Sequence, residues 1–203
     1  MEAKARPCEQ CGGPMPLTAR THASVCGPTC RKRRQRARQR AAGPTVALPR
    51  ALTRQPRWVR RSAAKVPLTT TGDVASATDP ATWATYEAAV AATVGTGLGL
   101  VLVGDGVVCV DLDHCLDAAG QPTPAVDAWL STLPPTYVEI SPSGDGLHVW
   151  GRGLVLTARK IRADGIAGEV IGARKYATIT GRRFRNAPLT LATISAQAGA
   201  LIY

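Results

Sequence analysis

Residues 106–113 (GVVCVDLD) constrain the fold most, because an apolar run ends there in two carboxylates separated by one residue. Valine-rich runs bounded by glycine predict a β-strand. Side chains alternate along a strand, so Asp111 and Asp113 share one face and Leu112 lies on the other. Two carboxylates on one face repel each other unless a cation lies between them, which predicts a divalent-metal site. The alternative is a surface turn that begins at the two aspartates.

Two further polar residues follow on predicted strands. Residues 136–150 predict a hairpin with a tight polar turn, SPSGDG, and a returning strand that carries His148. Residues 168–181 predict another hairpin, with Glu169 on its first strand. The order along the chain is therefore an acid pair, a histidine after a glycine-rich turn, and a single acid.

This order resembles the catalytic core of the archaeo-eukaryotic primase superfamily, in particular the bifunctional primase-polymerase domains of phages and plasmids. The resemblance covers residues 57 to 185, and its most specific part is YVEISPSGDGLH, which ends in His148. It implies an α+β fold with a mixed or antiparallel, RRM-like sheet. The family often has serine two residues before this histidine, where this chain has Gly146. The serine contact is therefore lost or supplied by Ser143.

The resemblance implies a template-directed nucleotidyltransferase, a DNA primase/polymerase of phage or mobile-element replication that uses two-metal phosphoryl transfer. Asp111, Asp113 and Glu169 would hold Mg²⁺ or Mn²⁺, and His148 would contact the phosphates of the incoming nucleotide. The expected partners are a single-stranded DNA template, nucleoside triphosphates and a separate replicative helicase. The expected nucleotide-binding residues are Lys65, Ser143, His148 and Arg174. For Lys65, an ordinary exposed lysine is the alternative.

Two other functions fit the same residues. The carboxylates and their ions could instead activate water at a phosphodiester, as in a metal-dependent nuclease. Only the resemblance around SPSGDGLH favours polymerisation over this alternative. A non-catalytic zinc-ribbon module that recruits nucleic acid is the second alternative, and the presence of all three acids and His148 argues against it.

Four of the six cysteines fall within the first 30 residues, as two closely spaced pairs, Cys8 with Cys11 and Cys26 with Cys30. Short-spaced thiol pairs predict a tetrahedral Zn²⁺ site in a small zinc-ribbon-like module. Two disulfides are the alternative, which the lack of an apolar secretory segment disfavours.

Positive charge is concentrated in the N-terminal third, since residues 1–65 hold 16 Lys or Arg and only two acids. Residues 31–42 combine Arg, Lys, Gln and Ala, which favour a helix, and Gly43 with Pro44 ends it. We expect this helix to lie along a phosphate backbone, and a solvated basic tail is the alternative. The predicted nucleic-acid-binding residues are Arg31, Lys32, Arg33, Arg34, Arg36, Arg38 and Arg40.

A chain of 203 residues can hold one good-sized core and a small appendage. We expect the zinc-ribbon-like module and basic helix over residues 1–42, a linker over 43–56, and the catalytic domain over 57–203. No apolar run approaches the roughly 20 residues that span a bilayer, and the N-terminus has no apolar signal segment. A cytoplasmic protein of a bacterial host cell, without a membrane partner, is expected.

The remaining elements are predicted from local patterns. Asp79 and Pro80 predict the start of one helix that runs to about residue 94, with core positions at Trp83, Tyr86, Ala89 and Val90. Residues 97–103 predict a strand that pairs with the acid-bearing strand in a hairpin. Further helices are predicted over residues 124–133 and 193–203.

Overall fold

The computed structural model describes residues 6–16, 18–20, 23–31, 33–34 and 47–202. The chain divides into two compact units, Met1–Thr45 and Val46–Tyr203. The larger unit is an α+β structure whose sheets are antiparallel. None of the helices in the described ranges is long and apolar enough to cross a bilayer.

The strands of the larger unit are β1 Trp58–Arg61, β2 Pro67–Leu68, β3 Gly97–Val103, β4 Val107–Asp113, β5 Tyr137–Ile140, β6 Leu147–Arg152, β7 Arg159–Lys160, β8 Ala167–Ile171 and β9 Ala173–Ile179. Its helices are Arg50–Thr53, Tyr86–Ala91, Pro124–Ser131 and Ser195–Ile202, with a 3₁₀ turn at Pro80–Thr82. One sheet has the strand order β2-β1-β3-β9 and the other the order β5-β6-β4-β8-β7.

The core follows the alternation of side chains along the strands. The inner faces of the two sheets share one cluster, to which β3 contributes Leu100 and Leu102 and β4 contributes Cys109. On the opposite face of the five-stranded sheet, Val110 and Leu112 are fully buried against the helices Pro124–Ser131 and Ser195–Ile202. The alternation predicted for the acid-bearing strand is therefore confirmed, and both helices occur where the sequence predicts them.

The two predicted hairpins of β3 with β4 and of β8 with β9 are wrong, because in each case the strands lie in different sheets. The chain crosses between the sheets at two adjoining points, where the amide of Gly104 donates to the carbonyl of Gly172 at 2.8 Å. Asp105, at the tip of the first crossing, accepts two hydrogen bonds from Arg57 at 2.8 and 3.0 Å. This ion pair anchors the turn between β3 and β4.

The predicted linker is also wrong over its described part, residues 47–56. The helix Arg50–Thr53 lies there, and Leu48 and Leu52 are buried in the core between the sheets. The indole of Trp58 donates to the carbonyl of Leu52 at 3.2 Å. Two leucines and one hydrogen bond are enough to pack this segment, although its apolar residues are too few for a periodic pattern. Residues 43–46 lie outside the described ranges.

The helix predicted from Asp79 to residue 94 is two elements rather than one. Asp79 caps only the turn Pro80–Thr82, by accepting from the amide of Ala81. Thr85 then caps a new helix, Tyr86–Ala91. Between them Ala84 pairs with Trp58 of β1, which interrupts the helix. Ala89 is buried as predicted, whereas Val90 is 42% exposed and is not a core residue.

The Arg57–Asp105 pair should contribute to stability in a pH-dependent way. Burial raises the pKa of Asp105, but the hydrogen bonds and charge of Arg57 outweigh it and hold that pKa below its usual range. Asp105→Asn leaves the buried Arg57 guanidinium without its counter-charge. Because the Asp105 side chain is 34% exposed, we expect a loss of about 1–2 kcal/mol in the free energy of unfolding, measured with urea.

The stabilisation from a carboxylate with a lowered pKa is complete above its unfolded-state pKa and is lost as pH falls through the folded-state value. The difference between wild type and Asp105→Asn should therefore be largest near neutral pH and shrink in strong acid. Asp164→Asn, at an exposed loop position, is the matched control. Equal stability of Asp105→Asn and the control at pH 7 would show that the pair does not hold the crossing.

Candidate active site

A row of charged side chains crosses the five-stranded sheet. Asp111 of β4 lies directly opposite His148 of β6 and Glu169 of β8. Glu139 of β5 extends the row beyond His148, and Lys160 of β7 lies opposite Glu169. Directly opposed residues of neighbouring strands project from the same face. The row therefore projects from the face that also carries the core between the sheets.

His148 is held between two carboxylates. Its Nδ1 lies 3.1 Å from Glu139 Oε1 and its Nε2 lies 3.4 Å from Asp111 Oδ1, and the side chain is 3% exposed. Burial lowers the pKa of His148, but the hydrogen bonds and charges of Asp111 and Glu139 outweigh it and raise that pKa to about 9. At neutral pH the ring is therefore an imidazolium that donates from both nitrogens.

Asp111 and Glu169 lie among positive groups. Burial raises the pKa of Asp111, but His148 foremost, and then the charges of Lys65 and Lys175, hold that pKa below its usual range. Lys175 of β9 forms an ion pair with Glu169 through Nζ and Oε1. Asp113 lies at the exposed end of β4, on the same face as Asp111. Asp111 is thus kept ionised beside a second carboxylate that already attracts a cation.

A glycine allows β8 to approach β4 at the centre of this row. Gly168 precedes Glu169 and has φ +140°, and a Cβ built on it would lie 1.9 Å from the carbonyl oxygen of Asp111. A side chain there would push β8 away from β4. The position of Glu169 beside Asp111 therefore depends on Gly168.

The SPSGDG turn is closed by its own side chains. Ser143 Oγ donates to Asp145 at 2.5 Å and lies 2.8 Å from Ser141 Oγ. His114 Nδ1, next to Asp113 in sequence, lies 2.6 Å from Asp145. These contacts tie the turn that carries Ser143, a predicted nucleotide-binding residue, to His114 at the end of β4.

The glycine at position 146 has a steric reason. A Cβ at Gly146 would lie 2.6 Å from the carbonyl oxygen of Leu112 and 2.9 Å from Ser141 Oγ. A serine at this position would collide with the backbone of the acid-bearing strand. The packing of this turn therefore requires glycine at position 146, where the family often has serine.

The two predicted basic residues have a left-handed backbone, Lys65 in a turn before β2 and Arg174 within β9, where the register of its pairing with β3 shifts. Lys65 has φ +58° and Arg174 has φ +57°. The hydroxyl of Tyr176 donates to the carbonyl of Lys65, and the Lys65 charge acts on Asp111. The residue that pairs with Glu169 is Lys175, the neighbour of Arg174.

Sequence reasoning missed Glu139 and Lys175 as parts of this site. Glu139 occupies the same face of its strand as Tyr137, and it is the acid of the run YVEI. A carboxylate in a strand that is otherwise apolar is the signal that could have identified it. Lys175 faces the site together with Ala177 of β9, but only the sheet order shows that β9 runs beside this face.

In the smaller unit the four predicted zinc ligands lie together. The sulfur atoms of Cys8, Cys11, Cys26 and Cys30 all lie within 4.8 Å of one another, the only group of this kind with three or more His, Cys, Asp or Glu residues in the described ranges. The amide of Gly12 donates to the carbonyl of Cys8 in the tight turn between the first pair. Four close thiols fit the tetrahedral shell of a structural Zn²⁺ ion.

The basic segment after Cys30 is described only in part. Residues 28–31 and 33–34 are helical, and Arg31 and Arg33 are exposed. Arg34 turns back to Glu9, at 3.1 Å, and to Ser24. The other predicted nucleic-acid-binding residues, Lys32, Arg36, Arg38 and Arg40, lie outside the described ranges.

Comparison with known proteins identifies the family to which the chain belongs. Residues 16–191 match the family model of the bifunctional DNA primase/polymerase, N-terminal domain. The chain belongs to this family, and the resemblance seen in the sequence is confirmed.

The chain is also similar to a DNA primase-polymerase of the Nitratiruptor phage NrS-1. The two are 38% identical over 146 residues, which cover 66% of this chain and 20% of the phage protein. The chain thus matches about a fifth of the length of that relative.

The cysteine cluster predicts a defined metal content. Purified protein should carry about one Zn²⁺ ion per chain, because four thiolates complete a tetrahedral shell. Cys11→Ala removes one ligand and should lower the zinc content measured by inductively coupled plasma mass spectrometry. Cys115→Ala, at a buried thiol in the larger unit, should leave it unchanged. Equal zinc content in the two variants would exclude this cluster as the binding site.

Proposed function

We propose that this chain is a template-directed primase/polymerase domain of phage or mobile-element replication. It would add nucleotides to a growing strand that is copied from a single-stranded DNA template. The observation that supports this most directly is the row of Glu139, His148, Asp111 and Glu169 across adjacent strands. In a chain of the primase/polymerase family, Asp111 and Glu169 of this row would supply carboxylates for divalent ions, while the buried His148 faces Glu139 and Asp111 with its two ring nitrogens.

The chemistry of the three predicted metal ligands suits a hard divalent ion, although their oxygens do not form one close group in the described part of the chain. Asp111, Asp113 and Glu169 offer only carboxylate oxygens, the ligands that Mg²⁺ and Mn²⁺ prefer. When bound, such ions supply the Lewis acidity that activates a primer 3′-hydroxyl and stabilises the leaving pyrophosphate. The pair of Lys175 with Glu169 shows that this carboxylate already attracts positive charge.

The protein's own residues have separate tasks. Asp111 stays ionised because its pKa is lowered, so no proton has to leave before a cation binds. His148 is held rigidly, and its positive charge contributes to the field that attracts the triphosphate. We expect Lys65, Arg174 and Ser143 to contact the phosphates, since cations and hydroxyls are the usual phosphate-binding groups.

The smaller unit would bind the template. A Zn²⁺ ion on Cys8, Cys11, Cys26 and Cys30 would make it a zinc-ribbon-like module, and Arg31 and Arg33 present exposed charge directly beside these ligands. Contacts of this kind neutralise phosphates and position the strand without reading its sequence. Arg34, which pairs with Glu9, supports the module itself rather than the template.

The test is incorporation of labelled nucleotide on primed and unprimed single-stranded templates with Mg²⁺ or Mn²⁺. Asp111→Asn preserves the shape of the side chain but removes its charge, so it should lower extension by on the order of 100-fold or more. Asp164→Asn, an exposed loop substitution outside the charged row, is the matched control and should extend like wild type. Product on the unprimed template would show that the protein also initiates strands.

Three results would contradict the proposal. Metal-dependent shortening of the substrate without extension would identify a nuclease that uses the same acids. Binding of single strands without any reaction would identify a recruitment module. If Asp111→Asn extends the template at the rate of the control, the activity does not depend on the charged row.

A further inference from the structure

Glu139 is a completely buried carboxylate to which the sequence analysis assigns no role. Its side chain is 0% exposed, although it lies at the end of the charged row. A buried carboxylate is stable only when its lone pairs are filled by donors or by a counter-charge. The contacts of Glu139 therefore indicate which groups the fold uses it to hold.

Four donors meet this carboxylate. His148 Nδ1 lies 3.1 Å from Oε1, and the hydroxyl of Tyr137 donates to Oε2 at 3.0 Å. The amide of Thr180 lies 3.1 Å from both oxygens, and the amide of Gly181 donates to Oε2 at 2.7 Å. The lone pairs of Glu139 thus accept bonds from one imidazole ring, one phenol and two main-chain amides from a distant part of the chain.

Two of these contacts reach functional parts of the site. The imidazole is fixed with its other nitrogen toward Asp111, at 3.4 Å. The amides belong to the segment after β9 that continues into Arg182 and Arg183. Arg182 in turn donates to the carbonyl of Ser141, at the start of the SPSGDG turn. One carboxylate therefore joins His148 and a basic segment that in turn contacts the SPSGDG turn.

We propose that Glu139 is a positioning residue, which fixes the His148 ring against Asp111 and holds the segment 180–183 beside the SPSGDG turn. It touches neither substrate nor metal ions, and acts through the groups that it orients. This inference rests on the proposed polymerase function for its effect on rate, but the geometry of the His148 ring can be tested without that function.

Glu139→Gln should lower the rate of extension. The amide keeps the size of the side chain, but it presents N–H groups where the carboxylate accepts bonds, so His148 Nδ1–H and one main-chain amide lose their acceptor. Mutation of a residue that orients a functional side chain typically lowers activity by about 10- to 100-fold. We expect kcat to fall by about 10- to 100-fold, with little change in the KM for primer-template.

Tyr137→Phe is the matched control, because it removes one donor from the same carboxylate and leaves the link between Glu139 and His148 intact. Both variants are compared with wild type at a temperature well below all three unfolding midpoints. A purely structural role would lower the midpoint and leave kcat near wild type. Wild-type kcat in a folded Glu139→Gln protein would overturn the inference.

The second measurement is nitrogen-15 NMR of the histidine rings, which needs no activity. Substitution of His22 and His114 by Asn assigns the remaining ring to His148. In wild type, the His148 Nδ1–H should give a resolved proton signal that exchanges slowly with water, because it is buried and bonded to a carboxylate. The same signal should be lost or exchange rapidly in Glu139→Gln.

The two measurements separate the possible failures. If wild type extends no template but shows the protected Nδ1–H, the proposed function fails and the positioning by Glu139 stands. If wild type extends a template and its His148 Nδ1 carries no protected proton, the inference fails and the polymerase stands. If Glu139→Gln does not fold, the wild-type NMR signal alone decides.

Discussion

The structure depends on a buried ion row in which one imidazolium lies between two carboxylates. Glu139, His148 and Asp111 lie side by side on adjacent strands, with ring nitrogens 3.1 and 3.4 Å from the acids. Charges in a protein interior are tolerated only when they are paired and fully hydrogen-bonded. The row therefore fixes the register of β5, β6 and β4, because a slip by one residue would turn each charge into the apolar layer on the other face.

The position of this row follows from the way the chain changes sheets. It leaves the four-stranded sheet after β3 and returns to it at β9, and both crossings meet where Gly104 bonds to Gly172. This topology brings Lys175 of β9 over Glu169 of β8, so that a cation reaches the carboxylates from the facing sheet. A plain hairpin at either crossing would leave the acids without that lysine.

Alternation and glycine turns were enough to predict the acid-bearing strand, the strand of His148 and the burial of Leu112. They could not predict which strands pair, because β3 and β4 are both apolar and local patterns do not encode sheet order. The turn at Asp105 resembles a hairpin until Arg57, far away in sequence, binds it. Glu139 could have been noticed as the acid of an otherwise apolar strand, but its contacts appear only when the segment after β9 is placed beside it.

The central claim is that the face carrying Asp111 and Glu169 collects divalent ions for nucleotide transfer. The most direct measurement is a crystal structure with Mn²⁺ and a non-reactive nucleoside triphosphate, with the metal located by anomalous scattering. The account predicts Mn²⁺ on the oxygens of Asp111, Asp113 and Glu169, with the triphosphate on the side of the SPSGDG turn. Mn²⁺ elsewhere, with these three carboxylates bound to protein groups alone, would contradict it.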